Sequence, residues 1–127
     1  MGHSKAHIQL GDLYEYGKGI RRDDTEALVW YRKGADQGDS RAQWYVGIMY
    51  ANGQGVKQDY AEAVRWYRKA AEQGLAGAQC NLGFQYEHGY GVKQDYAEAV
   101  RWYRNAANQG HAEAQCNLGS HYEHGHG

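Results

Sequence analysis

Two cysteines, seven histidines and a regular set of carboxylates are the residues of this chain that could do chemistry. Cys80 and Cys116 stand 36 residues apart, and Ile8 and Trp44 hold the same slot at the same interval upstream. A slot that takes isoleucine, tryptophan and cysteine reads as an apolar packing slot. A bridge between the two thiols would need Cα atoms within about 7 Å. Stacked helices lie about 8–10 Å apart, so no disulfide is expected. His121, His124 and His126 crowd the C-terminus, and His121 and His124 are three apart, close enough on a helix to share a metal. His3 and His7 are four apart at the other end. No cysteine or carboxylate set completes either group, so metal binding through the C-terminal histidines stands as the weaker alternative and no metal is assigned. Ser4, Ser40, Ser120 and Thr25 fall in neither Ser-x-x-Lys nor Gly-x-Ser-x-Gly, the settings that activate a serine nucleophile. The Gly89-Tyr90-Gly91 stretch could be mistaken for a phosphate loop, but that needs a preceding strand and none is evident. No catalytic residue and no cofactor are expected.

The fixed interval belongs to the whole chain. Trp30, Trp66 and Trp102 recur every 36 residues, as do Tyr14, Tyr50, Tyr86 and Tyr122, Gly11, Gly47, Gly83 and Gly119, and Gly38, Gly74 and Gly110. "GVKQDYAEAVRWYR" is written at 55–68 and again at 91–104. Self-similarity at such a period marks stacked supersecondary units that cannot bury their apolar faces alone. The chain therefore reads as one repeat domain over 1–127, with repeats at about 4–38, 39–74 and 75–110 and a half repeat at 111–127.

Each unit reads as two helices. Asp23, Asp59 and Asp95 are followed three residues later by Glu26, Glu62 and Glu98, the pattern of a capping box. After Asp59, the residues Ala63, Tyr67, Ala70 and Ala71, with Trp66 beside them, recur at helical spacing, and Gly74 follows where a left-handed residue ends a helix. In the other helix Ala78, Leu82 and Tyr86 share a face. Gly83 beside them costs about 1 kcal/mol against alanine in a helix interior. Its recurrence predicts close helix–helix contact there. The tryptophans at 30, 66 and 102 are expected in the core. Seven helices follow, at about 4–16, 23–37, 40–52, 59–73, 76–88, 95–109 and 112–124: three pairs and one more.

The composition removes several classes of function. Fourteen basic residues face fifteen acidic ones for a formal charge of −1, which offers no attraction for nucleic acid or an anionic membrane surface. No apolar run is long enough to span a bilayer. "MGHSKAHIQLG" lacks the apolar segment of a signal peptide, and localisation stays open.

Ala78, Gln79, Leu82, Gly83, Tyr86, Gly89, Gly91, Val92, Asp95, Ala99, Trp102, Tyr103, Ala106, Ala107 and Gly110 carry a long motif that resembles the Sel-1-like repeat, a relative of the tetratricopeptide repeat. The resemblance covers essentially the whole chain. Val46 in place of the leucine and Ile20 in place of the valine are conservative departures. It implies an all-α fold, a right-handed α/α superhelical solenoid, acting as a scaffold or adaptor that binds proteins or peptides. Some members are cysteine-rich, with a bridge inside each repeat. The second cysteine of such pairs is missing here, which argues against that subgroup and its penicillin-related activity.

In tetratricopeptide-like superhelices the first helix of each pair lines the concave surface. By that register the inward residues are Arg41, Trp44, Ile48, Ala51 and Asn52, then Gly77, Cys80, Phe84, Glu87 and His88, then Glu113, Cys116, Ser120, Glu123 and His124. Trp44, Ile48 and Phe84 would form an apolar stripe edged by Glu and His, as a peptide groove requires. The alternative is that Trp44 and Phe84 pack between neighbouring helices. Residues 56–91 and 92–127 differ at only seven positions, 84 and 90 among them. A chain that starts and stops on a first helix also reads as a structural module, a fragment of a longer array or an engineered piece. Its ends lack a polar cap, and end-to-end self-association is a further expectation.

Overall fold

The structure, a computed structural model, describes residues 2–17 and 23–109, with side chains from Lys5 onward. Six helices follow one another: α1 (Gly2–Tyr16), α2 (Asp24–Asp36), α3 (Ser40–Asn52), α4 (Tyr60–Glu72), α5 (Ala76–His88) and α6 (Tyr96–Ala107). They match the expected boundaries to within two residues at every end. The expected helix at 112–124 lies outside the described residues. Each helix packs chiefly on its neighbours in sequence, so α1–α2, α3–α4 and α5–α6 form the pairs, joined through α2–α3 and α4–α5. The result is an all-α solenoid, with no strand among the described residues.

Local chemistry sets the helix ends. Asp23, Asp59 and Asp95 are in extended backbone and accept from the amide N–H of Glu26, Glu62 and Glu98 at 3.1 Å. Only half of the expected capping box forms. The N–H of each capping aspartate donates instead to the carbonyl of Tyr14, Tyr50 or Tyr86 in the preceding helix. Glu62 and Glu98 thereby stay available to pair with Arg65 and Arg101, both at 2.8 Å. At the other end of α4, Gly74 (φ +95°) donates to Ala71 O and Leu75 N donates to Ala70 O, a Schellman turn that aims the chain into α5.

Packing between paired helices rests on a glycine against a ring. A Cβ on Gly11, Gly47 or Gly83 would come within 2.7 Å of the ring of Tyr31, Tyr67 or Tyr103, respectively. The expected close contact at Gly83 is therefore real, and its partner is an aromatic face. Leu82, Tyr31 and Tyr103 are fully buried around these contacts, with Ala63, Ala70, Ala99 and Ala106. Trp66 and Trp102 are core residues as expected, while Trp30 is half-buried, with Lys33 Nζ 4.1 Å from its ring centroid.

Candidate interaction surface

Tyr50 and Tyr86, from the periodic motif, work at the junctions between units. Arg32 of α2 donates to Tyr50 Oη at 3.1 Å, and Arg68 of α4 donates to Tyr86 Oη at 2.6 Å. A glutamine relay crosses the same junctions. Gln73 donates to Gln43 Oε1 at 2.8 Å, and Gln43 donates to Ala35 O at 3.3 Å; Gln109, Gln79 and Ala71 O repeat the chain one unit on. Gln43 and Gln79 are buried while Gln73 and Gln109 are exposed, and local spacing assigns these amides no role. Their signal was the 36-residue recurrence of a polar residue on an otherwise apolar face.

The loops are pinned just as tightly. Gly91 has φ +76°, and a Cβ there would lie 2.4 Å from the Tyr60 carbonyl oxygen. Gly55 stands in the same relation to Asp24 O. Glycine meets two demands at once: a left-handed backbone and direct contact with another backbone. The Gly-x-Gly stretch is thus a docking turn between units.

The expected inward residues divide. Trp44 is half-buried and lies over Gly77, where a Cβ would sit 2.7 Å from its indole, and its Nε1 donates to Asn81 Oδ1 at 2.6 Å. It joins α3 to α5, and the small residue at 77 exists to receive it. Cys80 is only 3% exposed. Glu87 is 8% exposed, and its Oε1 accepts from Tyr103 Oη at 2.7 Å. Both lie beneath the surface, which corrects their expected place among exposed contact residues: helix packing at 80 and a phenol–carboxylate bond at 87 hold them inside. The Tyr103 hydroxyl is pushed well above its ordinary value by burial first and the Glu87 bond second.

Others on that register are open. Phe84 is 40% exposed, His88 and Asn52 are exposed, and Ile48 and Ala51 are half-buried. Arg41 is exposed, with its guanidinium on Tyr45 Oη at 3.2 Å. Glu113, Cys116, Ser120, Glu123 and His124 lie outside the described residues, as do His121 and His126. Among the described residues no group of three His, Cys, Asp or Glu is gathered to hold a metal, and no helix is long and apolar enough to cross a membrane.

Phe84 belongs to a line of four rings. Tyr60 stacks on Tyr90 (centroids 4.9 Å, 13° between planes), Tyr90 on His88 (5.3 Å, 19°), and His88 meets Phe84 at 4.2 Å and 52°. Three elements supply them: the start of α4, the end of α5 and the loop after it. Tyr90, like Phe84, keeps 40% of its surface exposed. Tyr60 and Tyr90 were not foreseen, because their stacking depends on the Gly91 turn meeting the preceding unit. The result is a ridge of four rings, with Phe84, His88 and Tyr90 exposed and Tyr60 half-buried, fixed at its base by backbone contact.

A family model described as the Sel1 repeat matches residues 4–39, 40–75, 76–111 and 112–127. No curated protein matches the chain. Among solved structures, c5321, described as a protective antigen present in uropathogenic Escherichia coli strains displaying an SLR fold, is 48% identical with a TM-score of 0.91; the alignment covers 98% of this chain and 27% of that one. A Sel1 repeat protein from Oxalobacter formigenes is 40% identical with a TM-score of 0.88, over 98% of this chain and 51% of that one. Helicobacter pylori cysteine rich protein B is 22% identical with a TM-score of 0.70, over 87% and 91%, a likeness of fold alone.

Proposed function

From the premise that the chain belongs to the Sel1 repeat family, a non-catalytic scaffold family whose members generally hold proteins together, we propose that it binds a protein or peptide on the concave, first-helix face, anchored on the ridge of Tyr60, Phe84, His88 and Tyr90. The observation that carries this reading is exposure: Phe84 and Tyr90 leave 40% of their surface in water while the tyrosines of the repeat motif, Tyr31, Tyr67 and Tyr103, are 2% exposed or less. An aromatic cluster held rigidly at the surface is the form of a binding hot spot, because little conformational freedom is lost on contact. The sequence supports the same choice. Positions 84 and 90 change to Ser120 and His126 between two otherwise near-identical copies, so packing does not dictate their identity. Ile48, Asn52 and Arg41 extend the surface toward the N-terminal repeats.

Comparative capture tests this. The chain and a Phe84→Ala/Tyr90→Ala variant of unchanged helicity are presented to lysate of the source organism. A partner retained by the first and lost by the second supports the ridge. Equal capture by both removes it as the anchor.

A further inference from the structure

Charge is not spread evenly over this chain. The second helix of each pair leaves one face outside the core, at positions three and four apart. On α2 that face holds Val29, Arg32, Lys33 and Asp36, and on α4 it holds Arg65, Arg68, Lys69 and Glu72. On α6 and its C-cap the same positions are Arg101, Arg104, Asn105 and Asn108. None of these residues is buried, whereas Ala27, Tyr31, Ala63, Tyr67, Ala99 and Tyr103 of the same helices are. Seven cations thus meet two carboxylates on this face, in a chain whose formal charge is −1. Such a local excess attracts an anionic partner whatever the net charge.

The cations are best held where α4 meets α2. Trp66 is only 2% exposed, and Arg32 Cζ, Arg65 Cζ and Lys69 Nζ lie 5.4, 5.2 and 4.8 Å from its ring centroid. Lys33 Nζ lies 4.1 Å from the Trp30 centroid. Arg32 and Arg65 also have polar partners, Tyr50 Oη and Glu62. Lys33 and Lys69 are exposed and have no ion pair among the described residues. A ring face holds an ammonium in place without neutralising it. Both lysines are therefore open to an outside carboxylate and lose little freedom on meeting one. Beside them Leu28 and Val29, the latter 42% exposed, border an open cavity of about 380 Å³ with Arg32, Lys33 and Asp36. Between the two near-identical copies Lys69 changes to Asn105 and Glu72 to Asn108, so packing does not dictate the charges on this face.

We infer that the outer face of α2 and α4 binds an acidic segment of a partner protein, with carboxylates on Lys33 and Lys69 and an apolar side chain in the cavity at Val29. Packed helices lie about 10 Å apart, and an extended chain covers that distance in about three residues. Acidic residues three apart therefore match the two lysines. Asp36 and Glu72 interrupt the cationic field once per repeat. That suits a segment of mixed side chains better than the unbroken charge of a phosphate backbone or an anionic bilayer. The surface shares no residue with the aromatic ridge and does not depend on it.

The test is fluorescence anisotropy on the full chain with a labelled peptide, Glu-Glu-Leu repeated four times. Binding that weakens with added salt is expected, and the same peptide with glutamine for glutamate should not bind. Lys33→Gln with Lys69→Gln should weaken binding about tenfold, the effect of losing two exposed ion pairs. Lys57→Gln with Lys93→Gln removes the same charge from the loops and should leave binding unchanged, as should Phe84→Ala with Tyr90→Ala. Asn105→Lys extends the row onto α6 and should tighten binding. Circular dichroism checks that each variant keeps its helicity. Equal weakening by the two lysine pairs overturns the proposal, because binding would then follow net charge alone. Failure of the parent to bind the acidic peptide at low salt also overturns it. So does tighter binding of an oligothymidylate or of phosphatidylserine vesicles, which would make the occupant a phosphate rather than a carboxylate.

Discussion

Trp44 and Phe84 lie on the same helix face in consecutive repeats and have opposite fates. Trp44 closes the junction between α3 and α5, its ring on Gly77 and its N–H on Asn81. Phe84 sits one helical turn past the equivalent slot, meets His88 and Tyr90 among the described aromatic rings, and stays 40% exposed. A large apolar residue on this face can thus end in either state. Trp44 becomes structure because Gly77 of the next unit leaves room for its indole, whereas Phe84 keeps much of its ring in water. The residue opposite decides, so neither tryptophan nor phenylalanine can be classified alone.

Four changes would break or sharpen that contrast. The largest effect is expected at Gly91, which holds the loop under the ridge. Gly91→Ala combines a left-handed backbone with a methyl group driven into the Tyr60 carbonyl and should cost about 3 kcal/mol in urea unfolding. It should also disperse the Tyr60–Tyr90 stack, seen as a change in near-ultraviolet circular dichroism.

Next comes the Trp44–Gly77 pair. Trp44→Ala should cost about 2 kcal/mol, less than for a fully buried ring because part of the indole is already solvated. Gly77→Ala should cost about 1–2 kcal/mol in the parent by overpacking the indole. In the Trp44→Ala background it should be neutral or stabilising, because alanine is the better helix former by about 1 kcal/mol. A double-mutant cycle by denaturant titration measures the coupling. Additive costs would show that the fit between the two residues is not what holds the junction.

Phe84→Ala should shift stability by no more than about 0.5 kcal/mol, as is usual for exposed positions. Partner capture should nevertheless fall steeply. A loss of stability like that of Trp44→Ala would mean that Phe84 is a packing residue after all.

The smallest effect is expected at the Glu62–Arg65 pair on the outside of α4. The Arg65 guanidinium holds the Glu62 carboxyl below its ordinary value of 4.5. A lowered folded-state pKa contributes stability that is present above that ordinary value and is lost as pH falls through the lowered one. Glu62→Gln should therefore cost at most about 0.5 kcal/mol at neutral pH, since solvent screens the pair, and nothing at strongly acid pH. Urea titrations at the two pH values check it.

Much of this molecule was legible because repetition makes a sequence its own control. A glycine kept in a helix interior at 11, 47 and 83 announces a close contact, since chance would not retain the cost three times. Aspartate at 23, 59 and 95 announces a helix start. What repetition cannot reveal is the partner of each conserved residue. The capping boxes formed by half because Tyr14, Tyr50 and Tyr86 carbonyls took the aspartate N–H groups, and those carbonyls lie in another helix. Gln43 and Gln79 looked like plain motif positions until their amides were seen spanning two units. Within the expected site, Phe84 and His88 are exposed, whereas Cys80 and Glu87 lie under the surface, because Tyr103 arrives from α6 to take the Glu87 carboxylate.

The sequence by itself determined the period, the helices, their ends and the alanine, glycine and tyrosine core, since these follow from local propensity and from spacing along one chain. Tertiary structure alone decided which residues of the first-helix face remain in water and that Tyr60 and Tyr90 join Phe84 and His88 in one ridge. Each of these depends on what a neighbouring unit places opposite, at a distance that no spacing within a single repeat can encode.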